Sequence, residues 1–149
     1  MEVNSLSESD LSILKNFCIN NTGVDNVNRE SKEINKISKI QNIPDTITSV
    51  LRRITGLKNS ISSFHTVTYK EGDYSLPHYD TGTEKSIVIL LENCEQGGRL
   101  FINNKPIEFN KPGDWILFDG HKNIHYVSKV TKGIRKTLVC WFKKNTDLI

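Results

Sequence analysis

Beyond residue 60 the chain breaks into short strand-like segments separated by turn residues. The segments are SSFHTVTY, SLPHY, SIVILL, RLFI, KPIEF, DWILFD, IHYVSKV and IRKTLVCWF. Gly97-Gly98, Asn103-Asn104 and Lys111-Pro112-Gly113-Asp114 punctuate them, and proline followed by glycine fits a type II turn. About eight short strands at regular spacing point to a sandwich, a barrel or a jelly roll.

The first third reads differently. In SLSESDLSILKNFC, Ser7 is placed to cap a helix with Asp10 three residues on, and Leu6 and Leu11 occupy the two positions of a hydrophobic staple. Leu11, Leu14 and Cys18 follow on one face. A second, weaker helix is expected through ESKEINKISKI, with Ile34, Ile37 and either Ile40 or Gln41 on one side. A third is expected from Pro44, a first-turn proline, with Ile47, Val50, Leu51 and Ile54 as its stripe and Gly56 as its stop. Helices leading into strands give an α+β architecture, with the N-terminal helices packed on one sheet. At 149 residues the chain is expected to be one domain, 1–149, with a helical lead-in over 1–57 and a strand core over 60–142.

Charge and cysteines narrow the classes of function. Twenty basic residues against seventeen acidic ones leave a net charge of +3, which argues against a chain built mainly to grip nucleic acid. Arg52, Arg53 and Lys58 form a local basic cluster whose plainer reading is a solvated helix end. Cys18, Cys94 and Cys140 are odd in number and widely spaced, which fits neither a disulfide framework nor a zinc pattern. A reducing, cytoplasmic setting is the expectation. No signal peptide and no membrane span are visible. Cys140, inside TLVCWF, reads as a small core residue.

SLPHYDTGTEKSIVILL carries the chemistry. On a strand, residues i and i+2 share a face, so His78 and Asp80 point the same way and Tyr79 the other. An imidazole nitrogen and a carboxylate oxygen aimed at one point suit a divalent first-row metal, and one more imidazole would complete a facial triad with open positions. His-x-Asp alone is a weak motif. His65, His121 and His125 are the candidates for the third ligand. His65 reads as a core or rim histidine and His121 as a turn residue, while His125 opens a strand.

Four segments in order then make a specific resemblance. HYVSKVTKGIRKTLVCWF resembles the C-terminal signature of the Fe(II)- and 2-oxoglutarate-dependent oxygenases, in particular their prolyl 4-hydroxylase-like branch. YKEGDYSLPHYD resembles that branch's His-x-Asp segment, and GGRLFI and KPGDWILFDG resemble its Gly-Gly turn and its proline–glycine–phenylalanine segment. The resemblance covers about residues 60–142 and leaves the lead-in unmatched. It implies a double-stranded β-helix, a jelly roll with the metal at one mouth. It implies Fe(II) on His78, Asp80 and His125, Arg135 on the distal carboxylate of 2-oxoglutarate, and Tyr69 hydrogen-bonded to that cosubstrate. Thr137, two residues beyond Arg135, is a further hydroxyl contact. Arginine suits such a role because its fork matches a carboxylate that must be neutralised inside an apolar barrel. Lys136 competes, and strand parity alone does not choose between them.

The resemblance implies a dioxygenase that consumes dioxygen and 2-oxoglutarate, with ascorbate in support, and hydroxylates a proline in a peptide or protein. Tyr74 or Tyr79 is expected to stack on the proline ring if either faces the groove, and EGDYSLP is expected to act as a lid. Trp115 and Trp141 are core residues that could also line the pocket. A hydroxylase of a free amino acid or other small metabolite, a nucleic-acid demethylase of the same superfamily, a cupin-like metal protein that takes no 2-oxoglutarate and a non-catalytic jelly-roll binding domain are the rivals. No nucleic-acid partner is expected.

Overall fold

The computed structural model of the chain describes residues 1–20, 24–25, 36–40 and 42–144. In chain order the described elements are β1 (Asn4–Ser5), α1 (Glu8–Asn20), β2 (Val24–Asp25), β3 (Lys36–Lys39), α2 (Asp45–Thr55), β4 (Ile61–Tyr69) and β5 (Lys85–Glu92). There follow β6 (Gln96–Gly97), β7 (Leu100–Ile102), β8 (Lys105–Pro106), β9 (Asp114–Phe118), β10 (His125–Val127), β11 (Val130–Lys132) and β12 (Arg135–Phe142).

Strand order in the large sheet is β1-β9-β5-β12-β4-β3-β2, antiparallel throughout. A smaller sheet, β10-β7-β8, faces it, and β11 pairs β6 beside it. Residues 75–78 extend the small sheet through the bridge between His78 and His125. From β4 the chain passes to residues 75–78 of the small sheet, back to β5, out to β7-β8, back to β9, out to β10 and back to β12, which is the double-stranded β-helix that the sequence led us to expect.

Period-2 alternation sorts the side chains into two layers. On β12, Leu138, Cys140 and Phe142 bury against a layer that holds Phe64, Ile87, Ile89 and Trp115 together with Leu14 of α1 and Ile47, Val50 and Leu51 of α2. The intervening residues of the same strands face the space between the sheets, among Val67, Tyr69, Val88, Ile116 and Phe118. β5 is buried on both faces, which is why SIVILL is apolar without alternating.

The capped helices behave as their chemistry dictates. Asp10 N–H donates to Ser7 Oγ at 3.1 Å, and Leu6 and Leu11 both pack on the helical layer. Asp10 does more than support its cap. Its carboxylate takes a forked bond from Arg53 of α2 at 2.7 and 3.0 Å, tying the two helices together. Pro44 lies one position before the helix, at the cap with φ −71° and ψ 157°, and its carbonyl accepts from Ile47 and Thr48. Gly56 ends α2. Gly113 takes φ 96° in the turn Lys111 to Asp114, as a type II turn requires.

The second expected helix is a correction. Lys36–Lys39 is strand β3, paired with β4 in the register Ile37 to Val67. An otherwise open sheet edge offers backbone partners to a Lys-Ile-Ser-Lys stretch that has little helical drive of its own. Ile34 and Gln41 lie outside the described residues, and Ile40 is buried beside the helices. The lead-in is therefore not purely helical: β1 and the pair β3-β2 cap both edges of the large sheet. SLPHY contributes one bridge rather than a full strand, and KPIEF only its first two residues. No described helix is long and apolar enough to cross a membrane.

Ser7→Ala is expected to destabilise the fold by about 1 kcal/mol, read as a lower urea midpoint at unchanged slope. The Arg53 hydrogen bond holds the Asp10 carboxyl below its usual range. Its contribution is present above the ordinary aspartate pKa and is lost as pH falls through the lowered one, so Arg53→Gln should flatten the acid limb of the stability profile. An unchanged acid limb in that variant would remove Asp10 from the account.

Candidate metal centre

His78 and His125 are direct cross-strand neighbours. Their backbones exchange two hydrogen bonds of 3.0 Å, and their rings lie 4.3 Å apart. Each ring donates from Nδ1 to a carbonyl two residues upstream, Leu76 at 2.7 Å and Asn123 at 2.8 Å. A carbonyl can only accept, so the proton sits on Nδ1 and Nε2 keeps its lone pair for a cation. Asp80 Oδ1 lies 3.3 Å from His125 Nε2 and 3.7 Å from His78 Nε2. The three ligand atoms all lie within 4.8 Å of one another.

The other oxygen of Asp80 is clamped. Ser86 Oγ donates to Oδ2 at 2.6 Å and Trp141 Nε1 donates to it at 3.0 Å. Gly120 closes the arrangement: its carbonyl accepts from Asp80 N–H, and a Cβ on it would lie 2.3 Å from Oδ2 and 2.4 Å from Ser86 Oγ. Only hydrogen fits there. One carboxylate oxygen is thus held by the protein and the other is left to the histidines or a cation.

Burial alone would raise the Asp80 carboxyl, but the hydrogen bond and charge of His125, with Ser86 and His78, outweigh it and hold the group below its usual range. Burial alone would lower His125, and its bond and attraction to Asp80 outweigh that and raise it. A proton and a divalent cation therefore compete for one place between these groups.

From this mouth the cavity runs along β12. Its registers set Val139 opposite His65 and Val88, Thr137 opposite Val67, and Arg135 opposite Tyr69. The cavity has a volume of about 70 Å³ and opens to solvent. Val67, Val88, Leu100, Phe118 and Val139 line its apolar walls. Arg135 is 2% exposed, and its Nη2 has no hydrogen-bond partner. Its guanidinium lies 5.6 Å from the Tyr69 ring centroid. Burial pulls its pKa down, opposed only by Tyr69 and Cys94, and among the described residues no carboxylate compensates it.

The six candidates from the sequence thus share one cavity: His78, Asp80 and His125 at the mouth, Arg135, Tyr69 and Thr137 deep inside. Lys136 points out of the barrel and lies 3.7 Å from Glu92. His65 lines the wall edge-on to Trp141, 4.7 Å between centroids. Trp115 belongs to the helical layer instead. Tyr74 lies near Lys129, and Tyr79 is 52% exposed, so neither lines the cavity; Tyr126 does. The segment expected to act as a lid is bonded to the barrel in this structure. Gly72, Asp73 and Ser75 are fastened to β10 and β11 by backbone bonds to Val127 and Val130, and Ser75 Oγ accepts from Val127 N–H. Ser86 and Gly120 were missed. Parity with Val88 is the one sequence signal that turns Ser86 inward.

Gly120→Ala should lower affinity for Mn(II) by at least tenfold, about 1.4 kcal/mol, because the added methyl must displace Asp80 or Ser86. Binding of Mn(II) to the wild type should weaken as pH falls through the raised His125 pKa, starting above the range of an ordinary histidine. Titration calorimetry across pH checks both, and a flat profile down to pH 6 would contradict the second.

The comparisons with known proteins agree with this geometry. The family described as the 2OG-Fe(II) oxygenase superfamily matches residues 64–143. No curated protein matches the chain in sequence. Among solved structures, a viral collagen prolyl hydroxylase from Paramecium Bursaria Chlorella virus-1, solved with 2OG, superposes at a TM-score of 0.70 with 16% identity, covering 94% of this chain and 93% of that one. A prolyl-4-hydroxylase from Pseudomonas putida gives 0.71 with 17% identity over 97% and 92%. A prolyl hydroxylase from Trichoplax adhaerens, solved with a hypoxia inducible factor peptide fragment, gives 0.71 with 17% identity over 95% and 82%. At such identities these three share the fold with this chain. The family match spans more than half of the sequence and contains the metal-competent triad, and the chain belongs to the 2OG-Fe(II) oxygenase superfamily.

Proposed function

We propose that this chain is an Fe(II)- and 2-oxoglutarate-dependent dioxygenase that hydroxylates a proline within a peptide or protein. The observation that carries the cosubstrate half of this reading is Arg135. A buried guanidinium without a counter-ion among the described residues, in the same cavity as a His-Asp-His set, matches a ligand with a carboxylate at its far end.

In this reading His78, Asp80 and His125 hold Fe(II) through Nε2, Oδ1 and Nε2. The chemistry such a centre supplies is oxidative decarboxylation of 2-oxoglutarate to succinate and carbon dioxide, coupled to insertion of one atom of dioxygen into a C–H bond. The protein contributes position and dryness. Ser86, Trp141 and Gly120 keep Asp80 from turning its second oxygen to the cation. The valines and Phe118 exclude water from the space between the two ends of the cosubstrate. Arg135 neutralises the distal carboxylate, with the hydroxyls of Tyr69 and Thr137 within the same pocket end. Ascorbate is the expected supporting reductant. Three free thiols support a reducing, cytoplasmic setting.

The prolyl substrate is supported by the fold shared with prolyl hydroxylases, one of them solved with a peptide. An extended proline-containing segment is already ordered and costs little entropy to bind at an open mouth. Trp141, Tyr126 and the part-exposed His78 are the side chains at that mouth.

The test is incubation of proline-containing peptides with enzyme, Fe(II), ascorbate and 2-oxoglutarate, with fragmentation to place a gain of one oxygen. Peptidyl proline is expected to gain it and free proline much less. If small metabolites or methylated nucleotides drive succinate formation and peptides do not, the prolyl reading fails and the oxygenase reading stands. Arg135→Ala should cost about 2–5 kcal/mol of 2-oxoglutarate affinity, with Lys136→Ala unchanged. The reverse outcome would move the role to Lys136.

A further inference from the structure

A second cavity shares Arg135 with the first but none of the triad. Cys94, Gly98, Arg99, Glu108 and Arg135 are among its lining residues. The acids at its rim are already matched, Glu108 by Arg99 and Glu95 by Lys132 at 3.2 Å. The charge left over is that of Arg135, almost fully buried and with Nη2 unpartnered. Cys94 stands beside it. A Cβ on Gly98 would sit 2.7 Å from Cys94 Sγ and 3.3 Å from Arg135 Cδ, so the absent side chain is what lets sulfur and arginine stem approach each other. The thiol's contact is a weak one, to Gly97 O at 3.2 Å.

We propose that Cys94 is an oxidation site: peroxide converts its thiol to a sulfinate, which acts as an internal counter-ion for Arg135 and weakens binding of 2-oxoglutarate. This rests on the cosubstrate reading above. The sulfur lone pair attacks one oxygen of hydrogen peroxide and the O–O bond breaks. Sulfur is oxidised by two electrons to the sulfenic acid, while the second oxygen leaves with the thiol proton as water. A second peroxide adds another oxygen in the same way, and the resulting sulfinic acid ionises. Its negative charge meets Arg135, whose Nη2 lacks a hydrogen-bond partner. A negative charge on Cys94 favours the charged form of Arg135, which fits such a pairing. The other two thiols are poorer targets. Burial pushes Cys18 up to about 12 and raises Cys140 as well, so neither supplies the thiolate that peroxide attacks.

The experiment uses the full chain loaded with Zn(II), which takes no part in redox chemistry. Peroxide treatment is followed by peptide mass mapping and by titration of 2-oxoglutarate in a calorimeter. Two added oxygens on Cys94 and roughly tenfold weaker binding are expected. Cys94→Ala should bind as the untreated wild type does, before and after peroxide. Cys94→Asp, which places a fixed carboxylate at the site, should bind more weakly without any oxidant. Oxidised Cys94 with unchanged affinity would overturn the inference, as would an equal loss of affinity in Cys94→Ala after treatment. Untreated wild type that fails to bind 2-oxoglutarate at all would instead overturn the cosubstrate reading, and this inference with it.

Discussion

Arg135 is taken out of water with no carboxylate beside it among the described residues, and the layout of the site depends on that electrostatic imbalance. A guanidinium loses much hydration on burial, and only a partner of opposite charge restores it. The neighbours that face it, Tyr69 and the valines of β4 and β12, supply an aromatic face and apolar walls but no anion. A site so built suits the proposed role of Arg135, holding an acid that arrives from outside. In that reading the acid's other end lies toward the triad, because the rest of the cavity leads along β12 to it.

β12 holds both ends of this axis. It lies between β4 and β5 inside the large sheet, so neither end can shift without breaking a ladder on each side. Its outward residues Leu138, Cys140 and Phe142 are locked into the helical layer. Its inward residues run from Arg135 to Trp141, which in turn holds Asp80. The separation between Arg135 and the triad is therefore set by one strand held on both sides. The lead-in helices, which touch neither end, act on the site by packing against the back of that strand.

Much of this was legible in the residues. His78 and Asp80 were placed on one side by period-2 parity, and the structure keeps them there with Tyr79 turned outward. The core positions of α1 and α2 followed from caps and apolar stripes. The choice between Arg135 and Lys136 was not legible, because β12 is apolar on both faces and parity has no origin without a known neighbour; Glu92 outside and the cavity inside supply it. Ile37 misled because isoleucines at a spacing of three also fit an edge strand, and edge pairing is a tertiary decision. Gly120 carries no local signal, and Ser86 only its parity with Val88 on β5. Their importance arises from a contact with Asp80 that joins separate parts of the chain.

The bridge between His78 and His125 has a mechanical consequence. Those two residues are the point at which the segment after β4 is sewn to β10, and they are far apart in sequence. A cation held by both rings would act as a rivet through the small sheet, closing a long loop that contains most of the barrel. Closing a loop of that length removes a large share of the unfolded chain's freedom. The barrel mouth is then a place where cation binding and folding draw on the same free energy.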